Sequence, residues 1–108
     1  MALDITIIDN HAIPHHSIPV GIKTHANIFR LLDDEEFPFC TRMRNYYEDA
    51  NYNSYEVPSL LKEILNLKAI FSEEKLEYHH EAVEFLKNFE DLCLEAISKD
   101  FSISAIAD

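Results

Sequence analysis

LDITIID, residues 3–9, has a large apolar residue at every second position from Leu3 to Ile7, and this spacing decides the fold class. Leu3, Ile5 and Ile7 occupy every second position. Because successive side chains of a strand point to opposite faces of a sheet, the spacing predicts a β-strand. The chain is therefore expected to begin with a strand.

The residues that follow predict a hairpin partner for this strand. Residues 10–16 contain Asn, Pro and three His, a composition typical of a turn. Residues 17–20 predict a short second strand that ends at Gly21. Since Pro19 has no N–H to donate, we expect this strand at an edge of the sheet.

The other end of the chain carries a second alternating pattern. FSISAIA, residues 101–107, places Ser102 and Ser104 between Phe101, Ile103 and Ala105. The pattern predicts a third strand, which we expect to pair beside the first.

Between the two ends, apolar residues recur with helical spacing. Four helices are predicted, over residues 24–32, 39–48, 56–67 and 72–99, with a polar connector at 49–54. Thr24 and Ser72 are the expected N-caps, and Pro58 fits the first turn of the third helix. The fold prediction is one α+β domain over residues 1–108, with about four helices packed on a small antiparallel sheet formed by the N-terminal hairpin and the C-terminal strand.

The last and longest predicted helix has an apolar side and an acidic side. Leu86, Phe89 and Cys93 are expected in the core. The opposite side carries Glu77, Glu81, Glu84, Asp91 and Glu95. Glu77 and His80 form one Glu-x-x-His pair, whereas di-iron helix bundles use two such pairs and further Glu residues. We therefore expect this side to be a solvated face and not a metal centre.

Composition narrows the functional class. The chain has 108 residues, of which 47% are apolar, enough for one core. Residues 1–10 hold two acids and no basic segment, so no signal peptide is expected. No apolar run is long enough to cross a membrane, which makes the cytosol the expected location. Gly21 is the single glycine, so a Gly-rich phosphate loop cannot form.

The charge balance is strongly negative. Twenty acidic residues face nine basic ones, for a formal net charge of -11. Nucleic acids and anionic membranes are bound by clustered Lys and Arg, so neither is an expected partner. A basic protein surface is the favoured partner, because opposite fields speed encounter. Acidity is also common among cytosolic bacterial proteins, so the charge alone does not decide the function.

Histidines and cysteines are the candidates for metal or covalent chemistry. His11, His15 and His16 lie in the predicted turn, and an H-x3-H spacing can bind a metal. No cysteine or carboxylate pair stands nearby in sequence to complete a coordination shell. Cys93 is expected to be inert in the core, and Cys40 lies where a helix dipole could lower a thiol pKa, but no base stands beside it. We therefore expect no metal, no cofactor, no catalytic residue and no enzyme activity.

Residues 45–56, NYYEDANYNSYE, combine aromatic and acidic side chains without a Lys or Arg. Tyrosine offers a large contact area at low entropic cost, and interface centres are enriched in it. The predicted partner-binding residues are Tyr46, Tyr47, Glu48, Asp49, Tyr52, Tyr55 and Glu56. Another interpretation is that two of the tyrosines pack in the core while two cover its edge.

A second acidic segment is an alternative contact. Asp33, Asp34, Glu35 and Glu36 follow one another directly. Together with the acidic side of the longest helix, this run could meet a basic partner through charge alone, and such binding would respond steeply to salt.

A small acidic α+β chain with a Tyr-acid segment and no catalytic motif resembles the bacterial immunity proteins of contact-dependent growth-inhibition and polymorphic toxin systems. The opening LDITIIDN…HSIPVGIKTH, within residues 3–25, resembles a group of small bacterial proteins. The resemblance implies that the chain binds and neutralises a cognate toxin domain, basic and in some cases a nuclease, in the cytosol. It assigns no individual residue and no oligomeric state.

Two other functional classes stay open. A nucleic-acid mimic that inhibits a DNA-binding enzyme would spread its acids at regular spacing with few aromatic residues, which the tyrosine segment fits poorly. A small acidic structural or metal-binding protein would use the histidines instead. A zinc titration that leaves stability unchanged would argue against the metal-binding class.

Overall fold

Strands at both ends of the chain enclose a largely helical middle. The computed structural model describes residues 3–30, 32–73 and 79–107. In chain order the elements are β1 (Leu3–Ile8), β2 (Pro14–Val20), α1 (Ile22–Phe29), a 3₁₀ helix (Cys40–Met43), β3 (Ala50–Tyr52), α2 (Val57–Glu73), α3 (His79–Lys99) and β4 (Ser102–Ala107). None of the helices in these described ranges is long and apolar enough to cross a membrane.

The strands form one antiparallel sheet in the order β2-β1-β4-β3. The two chain ends pair at its centre, where Ile5 lies opposite Ala105 and Ile7 opposite Ile103. The predicted pairing of the C-terminal strand beside the first is therefore confirmed, as are the α+β class and the edge position of Pro19 in β2.

The hairpin turn is built by Asp9. Its Oδ1 accepts the N–H groups of His11 at 2.8 Å and Ile13 at 2.9 Å, and Ala12 takes a left-handed φ of 62°. Because β2 begins at Pro14, the prediction that the turn extends through residue 16 is wrong, and His15 belongs to the strand.

The core lies between one face of the sheet and the helices. Leu3, Ile5 and Ile7 on that face are fully buried. Helix α3 packs on the sheet, and α2 packs along α3. The predicted core positions of α3 are confirmed, since Leu86, Phe89 and Cys93 are all 0% exposed.

Helix α1 begins and ends earlier than predicted. Gly21, in an extended conformation, is the N-cap, and its carbonyl accepts the N–H of His25 at 2.9 Å. Thr24 therefore lies inside the helix and does not cap it. The helix ends at Phe29 and not at residue 32, and residue 31 is outside the described residues.

The predicted helix over residues 39–48 is wrong. Only the 3₁₀ helix Cys40–Met43 forms there. The side chain of Asn45 accepts the N–H of Tyr47 at 2.9 Å, and its carbonyl accepts the N–H of Glu48 at 3.3 Å. Because Asn offers the backbone this local alternative to helical hydrogen bonds, the chain turns instead of continuing as a helix.

The predicted connector at residues 49–54 contains strand β3. Ala50 and Tyr52 are buried and Asn51 is exposed, which is the period of two expected of an edge strand. Strand β3 has three residues and is flanked by Asn, Asp and Ser, so its alternating pattern is too short to be recognised in the sequence.

The boundary between α2 and α3 is also corrected. Ser72 lies in the last turn of α2, where its hydroxyl donates to the carbonyl of Lys68 at 2.6 Å, so it does not cap the next helix. The predicted first turn beyond Glu73 falls on residues 74–78, outside the described residues. The long helix ends at Lys99, as predicted.

Candidate functional site

Two of the four predicted tyrosine anchors are core residues. Tyr46 is 9% exposed, and its hydroxyl donates to the carbonyl of Val20 at 3.0 Å. Tyr52 is 1% exposed, and its hydroxyl donates to the carbonyl of Phe39 at 2.5 Å. Burial raises the pKa of the Tyr52 phenol far above its ordinary value. Both are among the predicted partner contacts, but each is buried in the folded chain, which favours the other interpretation, that two of the tyrosines pack in the core.

The other two tyrosines are on the surface. Tyr47 is 56% exposed and Tyr55 is 89% exposed. Each follows an asparagine by two positions, and that asparagine's side-chain oxygen accepts the tyrosine N–H, at 2.9 Å from Asn45 and 3.0 Å from Asn53. The turns fix the backbone while both phenol rings stay available for contact.

Arg44, which directly precedes the tyrosine segment at residues 45–56, bonds to the acidic run at residues 33–36. Its Nη2 donates to the carbonyl of Leu32 at 2.6 Å and to Oδ1 of Asp34 at 2.5 Å. These bonds therefore hold the start of the tyrosine segment against the acidic run. The start of the tyrosine segment and the acidic run are therefore in contact through Arg44, and we treat the exposed carboxylates of both as one candidate surface.

We call this surface the acidic corner. It consists of six exposed carboxylates, those of Asp33, Asp34, Glu35, Glu36, Glu48 and Asp49. Within the described part of the chain, Arg44 is the base that forms an ion pair with it. The corner therefore keeps most of its negative charge facing solvent.

Two of the predicted acidic contacts also have structural roles. Asp49 accepts the N–H of Ala107 at 2.7 Å and so extends the pairing of the sheet beyond β3. Glu56 accepts a bond from Arg42 at 2.5 Å, and this bond lowers the pKa of the Glu56 carboxyl and raises that of the Arg42 guanidinium. Glu56 is thus partly neutralised before any partner arrives.

Arg42 also covers the outer edge of β3. Its Nη1 donates to the carbonyl of Asn51 at 3.1 Å, and its guanidinium carbon lies 4.9 Å from the Phe39 ring centre and 5.3 Å from that of Tyr52. An edge strand with occupied acceptors is a poor template for another strand. At about 3.3 Å per residue, β3 separates the Asp49 and Asn53 ends of the surface by roughly 13 Å.

Neither cysteine is placed to act as a nucleophile. Both thiols are fully buried. Burial, with the nearby Glu63 carboxylate, raises the pKa of the Cys40 thiol far above its usual range, and burial raises that of Cys93 to about 12. Because the thiolate is the reactive form, both groups are inert in the folded state.

Two of the predicted turn histidines, His15 and His16, contact carboxylates in different parts of the fold. Nε2 of His15 lies 2.8 Å from Asp9, a bond that lowers the pKa of the Asp9 carboxyl to about 2. Nδ1 of His16 lies 3.4 Å from Glu95 on α3. Among the described residues, no three His, Cys, Asp or Glu side chains form a group that could hold a metal ion. Of the Glu77–His80 pair, Glu77 is outside the described residues.

Sequence reasoning missed an apolar strip between α2 and α3. Leu65 is 41% exposed on α2, and Leu94 and Ile97 are 48% and 38% exposed on α3. The ion pair of Lys68 with Glu90 shows that these sides of the two helices adjoin. Leu94 and Ile97 lie four and seven positions after Glu90, and Leu65 lies three positions before Lys68, so the helical period places all three on the sides that this ion pair joins.

Comparison with known proteins adds no relative. Neither the models of known protein families, nor the curated proteins, nor the solved structures include a match to this chain.

Proposed function

We propose that this chain is an immunity-type inhibitor that binds a basic toxin domain in the cytosol and covers its active site or substrate groove. The observation that carries the proposal is the bonding of Arg44 to Leu32 and Asp34, which ties the acidic run to the start of the segment that carries the exposed ring of Tyr47. The contact surface consists of the acidic corner with Tyr47 and Tyr55.

Charge supports the choice of a basic partner. The corner's six carboxylates face solvent, and the whole chain has a net charge of -11. Such a field raises the rate at which a positively charged partner arrives in the right orientation. Individual ion pairs at an exposed surface add little affinity, so the field alone would give fast but weak binding.

The exposed tyrosines supply the short-range part of the contact. The Tyr47 ring meets that of Tyr46 edge-on, with centroids 5.4 Å apart and planes at 88°. Tyr46 is in turn fixed by its bond to Val20. An aromatic side chain that is already ordered loses little entropy on binding, which is the property of interface hot spots.

Growth protection tests this proposal. The gene beside that of this protein is expected to encode a toxin with a basic domain, and cells producing both proteins should grow. We expect the double variant Tyr47→Ala, Tyr55→Ala to fold normally and to lose protection, because each truncation should cost about 2 kcal/mol of binding and speed dissociation on the order of 30-fold. Leu94→Ala removes an exposed apolar side chain from α3 and should protect fully.

Two results would reject the proposal. One is full protection by the folded double tyrosine variant together with unchanged dissociation. The other is the absence of a toxin gene combined with inhibition of a DNA-binding enzyme, which would favour the nucleic-acid mimic.

A further inference from the structure

His25 lies in the core at the junction of α1 with the segment that leads to Tyr47. It is 3% exposed, and its Nε2 lies 2.5 Å from the carbonyl oxygen of Met43. Because a carbonyl can only accept, Nε2 carries the proton and Nδ1 is the unprotonated nitrogen of a neutral ring. The imidazole therefore ties α1 to the end of the 3₁₀ helix.

Aromatic rings enclose the imidazole on two sides. The Phe29 ring centre lies 5.1 Å away on α1, and that of Tyr46 lies 5.1 Å away in an edge-on arrangement. The Tyr46 hydroxyl is bonded to Val20, so it does not serve His25. Tyr46 is thus held at two points, its hydroxyl on Val20 and its ring against His25, and Tyr47 packs against Tyr46.

The charged groups near this junction are engaged elsewhere or face solvent. On α1, Lys23 is exposed. After the 3₁₀ helix, Arg44 is bonded to Leu32 and Asp34, and Glu48 is exposed. On α3, the ring of Phe85 packs against Phe29. Within the described residues, no carboxylate bonds to His25, so a second proton on its ring would have no counter-charge.

We propose that His25 is a pH-sensitive latch that holds the segment from Met43 to Asp49 against α1 when the imidazole is neutral and releases it when the imidazole is protonated. The positive ring leaves its apolar site for water, and the bond to Met43 and the ring contact with Tyr46 are lost together, while the Tyr46 hydroxyl keeps its bond to Val20. If the proposed function also holds, binding through Tyr47 weakens on acidification.

Burial determines the pH range of the latch. It lowers the pKa of His25 below its ordinary value of 6.5, and the bond to Met43 opposes this only in part. The unfolded chain therefore binds the proton more readily than the folded chain does. The stabilisation is complete above about pH 6.5 and is lost as the pH falls below that value.

Amide hydrogen exchange measured by NMR tests the latch in the absence of a partner. Failure of the latch proposal can therefore be distinguished from failure of the proposed function. Between about pH 7.5 and about pH 5, protection of the Arg44, Tyr47 and Glu48 amides should fall on the order of tenfold, while protection in the centre of α3 at Phe89 holds. His25→Gln is the matched control, because its amide can still donate to Met43 but does not titrate. Its protection at the three amides should not change with pH.

Several outcomes would overturn the latch. One is an equal pH response in wild type and His25→Gln; another is a parallel loss of protection at Phe89, which would mean global unfolding. Titration of the His25 ring in the wild type gives a second measurement that does not depend on the variant's folding. A ring that titrates without moving the Tyr46 and Tyr47 signals would also contradict the proposal.

Discussion

Glu63 places a carboxylate where helix α2 faces the core. It is 7% exposed and accepts the N–H of Phe39 at 3.1 Å and that of Cys40 at 2.8 Å. The 3₁₀ helix has no side-chain cap of its own, so Glu63 satisfies its first donors from another element. Its partners stand more than twenty positions away, which is why helical spacing within α2 could not assign Glu63 to the interior.

Phe89 is the residue on which the packing of α3 can be tested. It is fully buried, and its ring meets that of Phe85 edge-on with centroids 5.8 Å apart. Phe89→Ala should lower the free energy of unfolding by about 3–5 kcal/mol, because it removes apolar contacts and leaves a cavity. Urea denaturation followed by circular dichroism measures the change.

Leu94→Ala is the control for Phe89→Ala, since Leu94 is 48% exposed on the same helix. We expect it to change the free energy of unfolding by less than about 0.5 kcal/mol. Equal losses of unfolding free energy in the two variants would show that α3 is rotated about its axis, with Leu94 as buried as Phe89.

The tyrosine segment shows what the sequence can and cannot predict about the burial of a single residue. The sequence located the segment and left open whether two of its tyrosines were buried. Ala50 and Tyr52 are buried because β3 joins the sheet, and Tyr46 is buried because Val20 accepts its hydroxyl. Both facts depend on contacts with distant parts of the chain, so no local pattern could separate Tyr46 from Tyr47.

At the scale of an element, the backbone conformation at the end of α3 lowers the stability of the protein. Asp100 has a left-handed φ of 58°, and the next N–H, from Phe101, returns to the carbonyl of Ala96 at 2.9 Å. Glycine adopts this conformation without steric penalty, and a carboxylate at a helix C-terminus is repelled by the last carbonyls. Asp100→Gly should therefore stabilise the protein by about 0.5–1 kcal/mol, seen as a higher melting temperature.

Ser98→Gly tests the same reasoning in the opposite direction. Ser98 lies inside the last turn of α3, where the backbone is helical and the conformational freedom of glycine adds no stability. This variant should be less stable by about 0.5–1 kcal/mol. Destabilisation by Asp100→Gly would mean that the Asp100 side chain contributes more to the helix end than its backbone conformation costs.

Strands with a long alternating pattern were predictable, whereas elements fixed by side-chain hydrogen bonds were not. The patterns of β1 and β4 extend over six residues each and gave both strands and their pairing. The predicted helix at 39–48 failed because Asn45 redirects the backbone, and β3 was missed because it has three residues. Ser72 was misread as a cap because a serine near a helix end can bond to the preceding turn instead.

For the whole molecule, the proposed binding of a basic partner depends more on where the charges lie than on the net charge. Two acid–base pairs, Arg42 with Glu56 beside the proposed surface and Arg44 with Asp34 within it, hold its segments in place. Glu35, Glu36 and Glu48 remain exposed around them. The net charge follows from the sequence, but only the fold shows that Arg44 ties the acidic run to the start of the tyrosine segment.

The rate of association with the proposed toxin domain, measured as a function of salt, tests the central claim most directly. From about 0.01 M to about 1 M ionic strength, the Debye length falls from about 30 Å to about 3 Å, and the rate constant should fall at least about tenfold. The triple variant Glu35→Lys, Glu36→Lys, Glu48→Lys should lose most of this dependence. The triple variant Glu81→Lys, Glu84→Lys, Asp91→Lys changes the net charge equally on the exposed side of α3 and should retain it. Equal losses in both variants, or a wild-type rate that salt does not change, would contradict binding through the acidic corner.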